Sequence, residues 1–399
     1  MMLKVYFDNA ATTRASKKVI DIVVKTMGED YANPSSKHVM GIEAEHYVKE
    51  AAEQIAATLK CKEKEIIFTS GGTESNNMAL IGGALANKRQ GKHIITLGIE
   101  HASVYEPLLF LESQGYEITA LPVDKNGRAD LDALRAALRK DTIIVSTMMV
   151  NNEIGAIEPV EEISKIVKNF AAENGTSILY HVDAIQAYGK VKIYPHRMGI
   201  DALSVSGHKI HGPKGVGFLY LDEKAKVKPI IFGGGQQKGM RSGTMNVPGI
   251  AGLGVAAKEA YDNFDARIAH LNEVKDYIID GVEALNSEYE TAKAGGIFVN
   301  SLKANAGAPH VVSISIEGVR AEVMLHALED KGIYVSSGSA CSAHHPGISG
   351  TLKGIGVRED LLDSTIRISL NEENTIEEAQ YFLDTIKELI PTLRKFTRR

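Results

Sequence analysis

The sequence predicts an α/β fold in which a large domain with a mainly parallel central sheet is joined to a smaller α+β domain. Three observations carry this prediction. From about residue 64, short β-branched runs alternate with amphipathic stretches of helical length. The runs are apolar throughout, as strands covered on both faces are. Beyond about residue 250 the rhythm changes.

Taken in order, EIIFTSG (65–71) precedes SNNMALIGGALANKRQG (75–91), and HIITLG (93–98) precedes SVYEPLLFLESQG (103–115). EITALPV (117–123) leads into DLDALRAALRKD (130–141), and TIIVSTMMV (142–150) into VEEISKIVKNFAAENG (160–175). SILYHVDA (177–184), ALSVSG (202–207) and VGFLYLD (216–222) read as three further strands. Ligands are expected at the carboxyl ends of such strands. A long helical region then runs to about 285, followed by HVVSISIEG (310–318), a helix RAEVMLHALEDKG (320–332), strands IYVSSGS (333–339) and STIRISL (364–370), and a terminal helix from Thr375. Gly233–Gly235 and Gly249–Gly254 are candidate hinges between the parts.

Composition removes several classes of function. Of 399 residues, 44% are apolar and 24% charged, ordinary usage for a globular protein and not that of a disordered, collagenous or disulfide-stapled chain. Lys and Arg number 45 against 50 Asp and Glu, leaving −5 with His neutral, and no long stretch of one sign suggests a nucleic-acid partner. The basic tail Arg394, Lys395, Arg398 and Arg399 fits the end of a helix that complements its dipole. No apolar run approaches the ~20 residues of a membrane span. The opening residues meet Asp8, Asn9 and Arg14 at once, unlike a signal peptide, so a cytoplasmic protein with no membrane partner is expected. In such a reducing compartment Cys61 and Cys341 are both thiols.

Three motifs carry chemistry. Ser70-Gly71-Gly72-Thr73-Glu74-Ser75 lies between a strand and a helix, where glycines and helix-start amides suit a phosphate. It is neither GxGxxG nor GxxxxGK[ST], and a plain turn capped by Thr73 is the alternative. Asp183, in His181-Val182-Asp183-Ala184-Ile185-Gln186, leaves a buried strand and so needs a partner, since an isolated buried carboxylate is unfavourable. Lys209 lies in Ser206-Gly207-His208-Lys209-Ile210-His211-Gly212, where partial desolvation would lower its pKa and make the amine nucleophilic toward an aldehyde. Together an anion site, an acidic strand end and a Schiff-base lysine are what pyridoxal phosphate requires.

At this point the chain resembles the cysteine desulfurases of the NifS and IscS type, in the class V aminotransferase branch of fold-type I pyridoxal-phosphate enzymes. The resemblance runs from FDNAATT (7–13) through NPSSKHVMG, FTSGGTESNN, EHASV, VNNEIG, HVDAIQ, SGHKIHGPKG, RSGT and SSGSAC to STIRISL. It implies that Lys209 joins the cofactor and later moves protons, that Asp183 faces the pyridine nitrogen, and that Gln186 bonds the phenolic oxygen. His101 would stack on the ring and act in acid–base steps. The phosphate would be held by Gly72, Thr73, Ser206 and His208, with Thr244 supplied by the other subunit of a homodimer. Asn152 would contact cofactor and substrate, and Arg367 would bind the substrate carboxylate, which guanidinium clasps bidentately. Cys341 would attack the sulfur of L-cysteine, leaving a persulfide on the enzyme and releasing L-alanine, with the sulfur passed to an acceptor protein such as an iron–sulfur scaffold or a tRNA-thiolation enzyme. Residues 14–250 are expected to form the large cofactor-binding domain, and residues 1–13 with 251–399 the small domain bearing the catalytic cysteine loop.

The chain departs from these relatives after Cys341, where it reads Ser342-Ala343-His344-His345-Pro346 in place of small hydroxyl residues leading to Leu-Glu-Pro-Ser. Neighbouring histidines on an extended segment point apart and no ligand spacing supports them, so no metal is expected. They would instead tune the thiolate or select the acceptor. Selenocysteine lyase or a class V aminotransferase with the same cofactor site is the alternative activity, and a catalytically idle interaction protein is the alternative class. Cys61 has no comparable setting and reads as an incidental thiol.

Overall fold

The computed structural model describes residues 3–292, 295–337 and 349–396. Seven strands form the central sheet: β1 (Ile66–Thr69), β2 (His93–Leu97), β3 (Glu117–Leu121), β4 (Thr142–Met148), β5 (Leu179–Asp183), β6 (Ala202–Ser206) and β7 (Gly217–Leu221). Their order across the sheet is β1-β7-β6-β5-β4-β2-β3. Neighbours from β6 to β3 pair in parallel, whereas β7 is antiparallel to both β6 and β1. β1 therefore runs with β2 to β6, and β7 alone opposes them. The carboxyl ends of six strands consequently share one edge.

The apolar runs are continuous because both faces of this sheet are covered. Val145, Val182, Val205 and Phe218 pack into one hydrophobic core, while Ile144, Leu179, Ala202 and Leu219 pack into another on the opposite face. β3 is one of the two edges, and its Glu117 and Ala120 are exposed, the usual polar character of a strand with one unpaired side.

A second sheet contains β8 (Ile297–Val299), β9 (Val311–Ile316), β10 (Ser336–Ser337) and β11 (Thr365–Ser369) in the antiparallel order β10-β11-β9-β8. Helices Phe264–Thr291 and Ile376–Leu393 bring Val274, Ile278, Phe382 and Ile386 against Ile314, Ile366 and Ile368 in its core. The last helix starts where expected because Thr375 and Glu378 form a reciprocal capping box. Val5 and Phe7 also lie in this core, and Val5–Tyr6 pairs in parallel with Ile333–Tyr334.

Two details differ from the linear reading. The run IYVSSGS divides, Ile333–Tyr334 pairing with the N-terminal strand and Ser336–Ser337 with β11. The long helical region is two helices, Val247–Tyr261 and Phe264–Thr291, separated at Asp262 and Asn263, the latter left-handed with φ +49°. The first of them packs on helices Lys17–Gly28 and Val39–Leu59. There a Cβ on Gly254 would lie 2.6 Å from Ala51 Cα. The expected boundary at 250/251 falls inside this helix, and the change of core comes at Asp262–Asn263. No helix among the described residues is long and apolar enough to cross a membrane.

Candidate active site

A cavity of about 240 Å³ opens at the shared edge of the central sheet. Gly72 and Thr73 reach it from the turn after β1, His101 from the turn after β2, and Asn152 from the turn after β4. Asp183 ends β5 and Gln186 follows it, while Ser206 ends β6 and precedes His208 and Lys209. Arg367 enters from β11 in the second sheet. Ten of the residues expected from the sequence thus line one space. Thr244 is exposed and is not among the lining residues of its own chain. Cys341, His344 and His345 lie outside the described residues.

At one end the backbone itself is cleared for an anion. Gly71, with φ +149°, starts a helical run from Gly72 to Asn87 whose middle turn, Met78–Gly82, is π-helical. A Cβ on Gly72 would meet Ile185 Cδ1 at 2.2 Å, so only glycine brings these first amides so close to the loop after β5. Helix-start amides beside the Ser206 hydroxyl suit a phosphate. Arg241 clasps Glu74 with two hydrogen bonds, of 2.8 and 3.2 Å, tying the RSGT loop to this helix.

The middle of the cavity is organised around a buried carboxylate. Asp183 is 5% exposed; its Oδ1 accepts from the Ile185 amide at 2.9 Å and its Oδ2 from Asn76 Nδ2 at 2.8 Å. Burial pushes this carboxyl above its ordinary range, against the pull of those hydrogen bonds, His101 and Lys209, and a cation placed against it would favour the charged form. Glu100 stands nearby, and burial, then the Asp183 charge, pushes its carboxyl well above the ordinary range. Its Oε1 accepts from the Met148 amide at 2.7 Å, and its buried Oε2 has no partner. Asn76 also donates to Ser103 Oγ at 2.9 Å. His101 caps the helix Ala102–Ser113, with Nδ1 accepting from the Ser103 amide at 3.1 Å and lying 2.8 Å from Ser103 Oγ. The proton of the neutral imidazole therefore sits on Nε2.

Lys209 Nζ donates to the carbonyls of Ala10 and Ala11 at 2.6 and 2.8 Å. Its own carbonyl accepts from Lys190 Nζ at 2.6 Å, and burial lowers the Lys190 pKa to about 7. Burial, then the Lys209 charge, lowers His208 to about 4, so that ring is neutral at physiological pH. Arg367 is 2% exposed, donating to the Asn152 carbonyl at 3.0 Å and to Asp8 Oδ1 at 2.9 Å, with its buried Nε unpartnered. A guanidinium so placed is ready for an anionic ligand group.

Ser103 lines the cavity, Asn76 bonds Asp183 and Glu100 stands beside it, and the linear reading assigned none of the three to the site. For Asn76 a signal exists, since it lies one helical turn beyond Gly72 and so shares its face. Cys61 is partly buried against the large core, and burial followed by the Glu65 charge pushes its thiol up to about 12.

Pyridoxal phosphate needs a cradle for its phosphate, a carboxylate against its ring nitrogen and an amine for its aldehyde. The Gly72 turn, Asp183 and Lys209 meet those needs in one cavity, and the molecule is by fold and site a pyridoxal-phosphate protein of fold type I. The comparisons with known proteins narrow this further. The chain belongs to the class-V aminotransferase family, whose model matches residues 5–382. It is 43% identical over 394 residues to the cysteine desulfurase IscS of Dictyoglomus turgidum, covering 99% of this chain and 96% of that one. It is 40% identical over 393 residues to the cysteine desulfurase IscS of Methanosarcina thermophila, covering 98% and 93%. The solved structure of a NifS-like protein superposes with a TM-score of 0.89 at 36% identity, covering 98% of this chain and all of the other.

Proposed function

We propose that this protein is a pyridoxal-phosphate-dependent cysteine desulfurase, which converts L-cysteine to L-alanine and leaves the sulfur as a persulfide on Cys341 for an acceptor protein. The observation that carries this reading is the convergence of Lys209, Asp183 and Arg367, from two sheets, on one cavity. When bound, pyridoxal phosphate supplies an electron sink for the substrate carbons. Lys209 would hold it through the aldehyde, and the Lys209 amine would then move the proton released at the substrate α-carbon. Asp183 holds the ring nitrogen's proton, and Arg367 with Asn152 orients the substrate carboxylate. The Cys341 thiolate bonds to the substrate sulfur as the Cβ–S bond breaks, and its electron pair stays with carbon, which takes a proton to become the methyl of alanine. The anchors of the segment 338–348 support this role. Ser336 pairs with Arg367, and Ser349 Oγ hydrogen-bonds Glu153, next to Asn152.

The working unit in this reading is a homodimer in the cytoplasm, with Thr244 facing the partner's phosphate site. Val24, Met27, Tyr31 and Val39 are large apolar side chains left exposed around the first two helices, which supports a covered face there. The division into a large domain, 14–250, and a small one, 1–13 with 251–399, is part of the proposal, and the change of hydrophobic core at Asp262–Asn263 supports drawing its boundary there. The test is L-cysteine with a reductant, measuring alanine and sulfide together in wild type and Cys341→Ala. Equal amounts from wild type and neither from the variant are expected. A variant that keeps full alanine output would mark an aminotransferase-like reaction, and release only from selenocysteine would mark a lyase.

A further inference from the structure

We propose that His310 is a positioning residue for the cofactor, locking the Gln186 amide so that it presents only a donor to the phenolic oxygen of pyridoxal phosphate. The inference rests on the cofactor reading above and adds a residue from outside the cavity.

Gln186 is 6% exposed and lines the cavity. One end of its amide lies 3.0 Å from the Ala10 carbonyl. A carbonyl only accepts, so the atom facing it is Nε2. Oε1 therefore faces His310 Nε2, 3.1 Å away, and because Oε1 only accepts, the imidazole carries its proton on Nε2. His310 Nδ1 is then a lone pair, and it is buried without a partner. The opposite tautomer would set two lone pairs face to face and strand a buried N–H on Nδ1, so the orientation is determined twice over. The charged groups around the ring, Lys190, Lys275, Arg367 and Lys209, are all cations, and together with burial they keep it neutral.

One Nε2 hydrogen of Gln186 serves Ala10, which leaves the second for the cavity. The same Ala10 carbonyl accepts from Lys209 Nζ at 2.6 Å, so the amide stands beside the amine that joins the aldehyde. In pyridoxal phosphate the phenolic oxygen is on the ring carbon next to the one that bears the aldehyde. A group beside the lysine amine therefore meets that oxygen. Were the amide to turn over, an acceptor would face a phenolate. His310 opposes this together with the Ala10 carbonyl, and does so from the second sheet: it precedes β9, and its carbonyl accepts from the Leu370 amide at 2.8 Å. The second sheet thereby sets a hydrogen bond made over the first.

The test is a pH titration of the visible absorbance of the holoenzyme, with no substrate present. A donor to the phenolic oxygen stabilises its charge and favours loss of the proton it shares with the lysine nitrogen, so losing the donor raises the midpoint. His310→Leu is expected to raise it by about one pH unit, about tenfold in proton affinity. His310→Asn, whose amide can donate, should recover at least half of that, and on a Gln186→Ala background His310→Leu should add nothing. If His310→Leu does not fold, His310→Ala takes its place. A midpoint within about 0.2 unit of wild type, or an undiminished shift on the Gln186→Ala background, overturns the proposal and leaves the cofactor reading standing. A wild type with no visible band, or one whose cofactor borohydride reduction fails to fix to Lys209, overturns that reading and this proposal with it.

Discussion

Replacing Arg367 with lysine separates charge from geometry at the substrate end of the cavity. Arg367 sits in β11, an inner strand of the second sheet, between Ser336 of β10 and Ser313 of β9, and it is nine-tenths or more buried. Lysine keeps the positive charge facing Asp8, now 2.9 Å from the guanidinium, so the resting structure loses little. What it cannot keep is a second parallel N–H for a carboxylate. Loss of one charge-assisted hydrogen bond is worth ~1.5–3 kcal/mol, or roughly 10- to 150-fold in kcat/KM. The assay is alanine formation from L-cysteine and from L-cysteinamide, whose carboxamide carries no charge, with thermal unfolding as a control. Wild type should prefer the acid strongly, and Arg367→Lys should lose most of that preference by losing activity on the acid alone. A variant whose activity on L-cysteine falls less than about twofold, against the loss predicted from one such hydrogen bond, would remove Arg367 from substrate binding.

Three further outcomes are expected. Gly72→Ala places a Cβ 2.2 Å from Ile185 Cδ1; overpacking of this kind costs about 1–3 kcal/mol, so cofactor affinity measured by absorbance titration should fall roughly five- to 150-fold, and Ile185→Ala should restore most of it. Glu158 is buried, its Oε2 accepts from the Ala129 amide and its Oε1 has no partner, and burial raises its pKa from 4.5 to about 8. The fold therefore holds a proton that the unfolded chain releases, and stability contributed below the unfolded value is lost as pH rises toward the folded one. Glu158→Gln should flatten the fall in Tm across that window and be the more stable form at its upper end, and an unchanged profile would contradict the assignment. Cys61, pushed up to about 12, should resist alkylation near neutral pH while Cys341 reacts, and Cys61→Ala should leave turnover unchanged; peptide mass mapping and the alanine assay check both.

Much of the site was legible because its residues are tied to strand ends. Asp183, Ser206 and the Gly72 turn each follow an apolar run whose carboxyl end is where a parallel sheet opens to ligands, and the resemblance supplied the roles. The direction of β7 was not legible, since a run buried on both faces reads alike whichever way it is threaded. Nor was the break at Asn263, where one left-handed residue inside a helical pattern ends one core and begins the next. Ser103, Glu100 and His310 act through partners 27 to 124 residues away or through burial, so no local spacing announces them, and Asn76 is marked only by its helical spacing from Gly72. The two halves of IYVSSGS separate because each finds a different neighbour, which is a property of the tertiary fold.

The central claim is that Cys341 takes the sulfur from L-cysteine while Lys209, which would hold the cofactor, moves the proton by which the carbon skeleton becomes alanine. A single turnover without reductant tests it most directly, with alanine counted and the peptide bearing Cys341 weighed in the same sample. One alanine per cofactor-loaded chain, with the mass of one sulfur atom added at Cys341 and both lost in Lys209→Ala, is the predicted result. Alanine formed without added mass at Cys341, or sulfur found on Cys61 instead, would contradict the account.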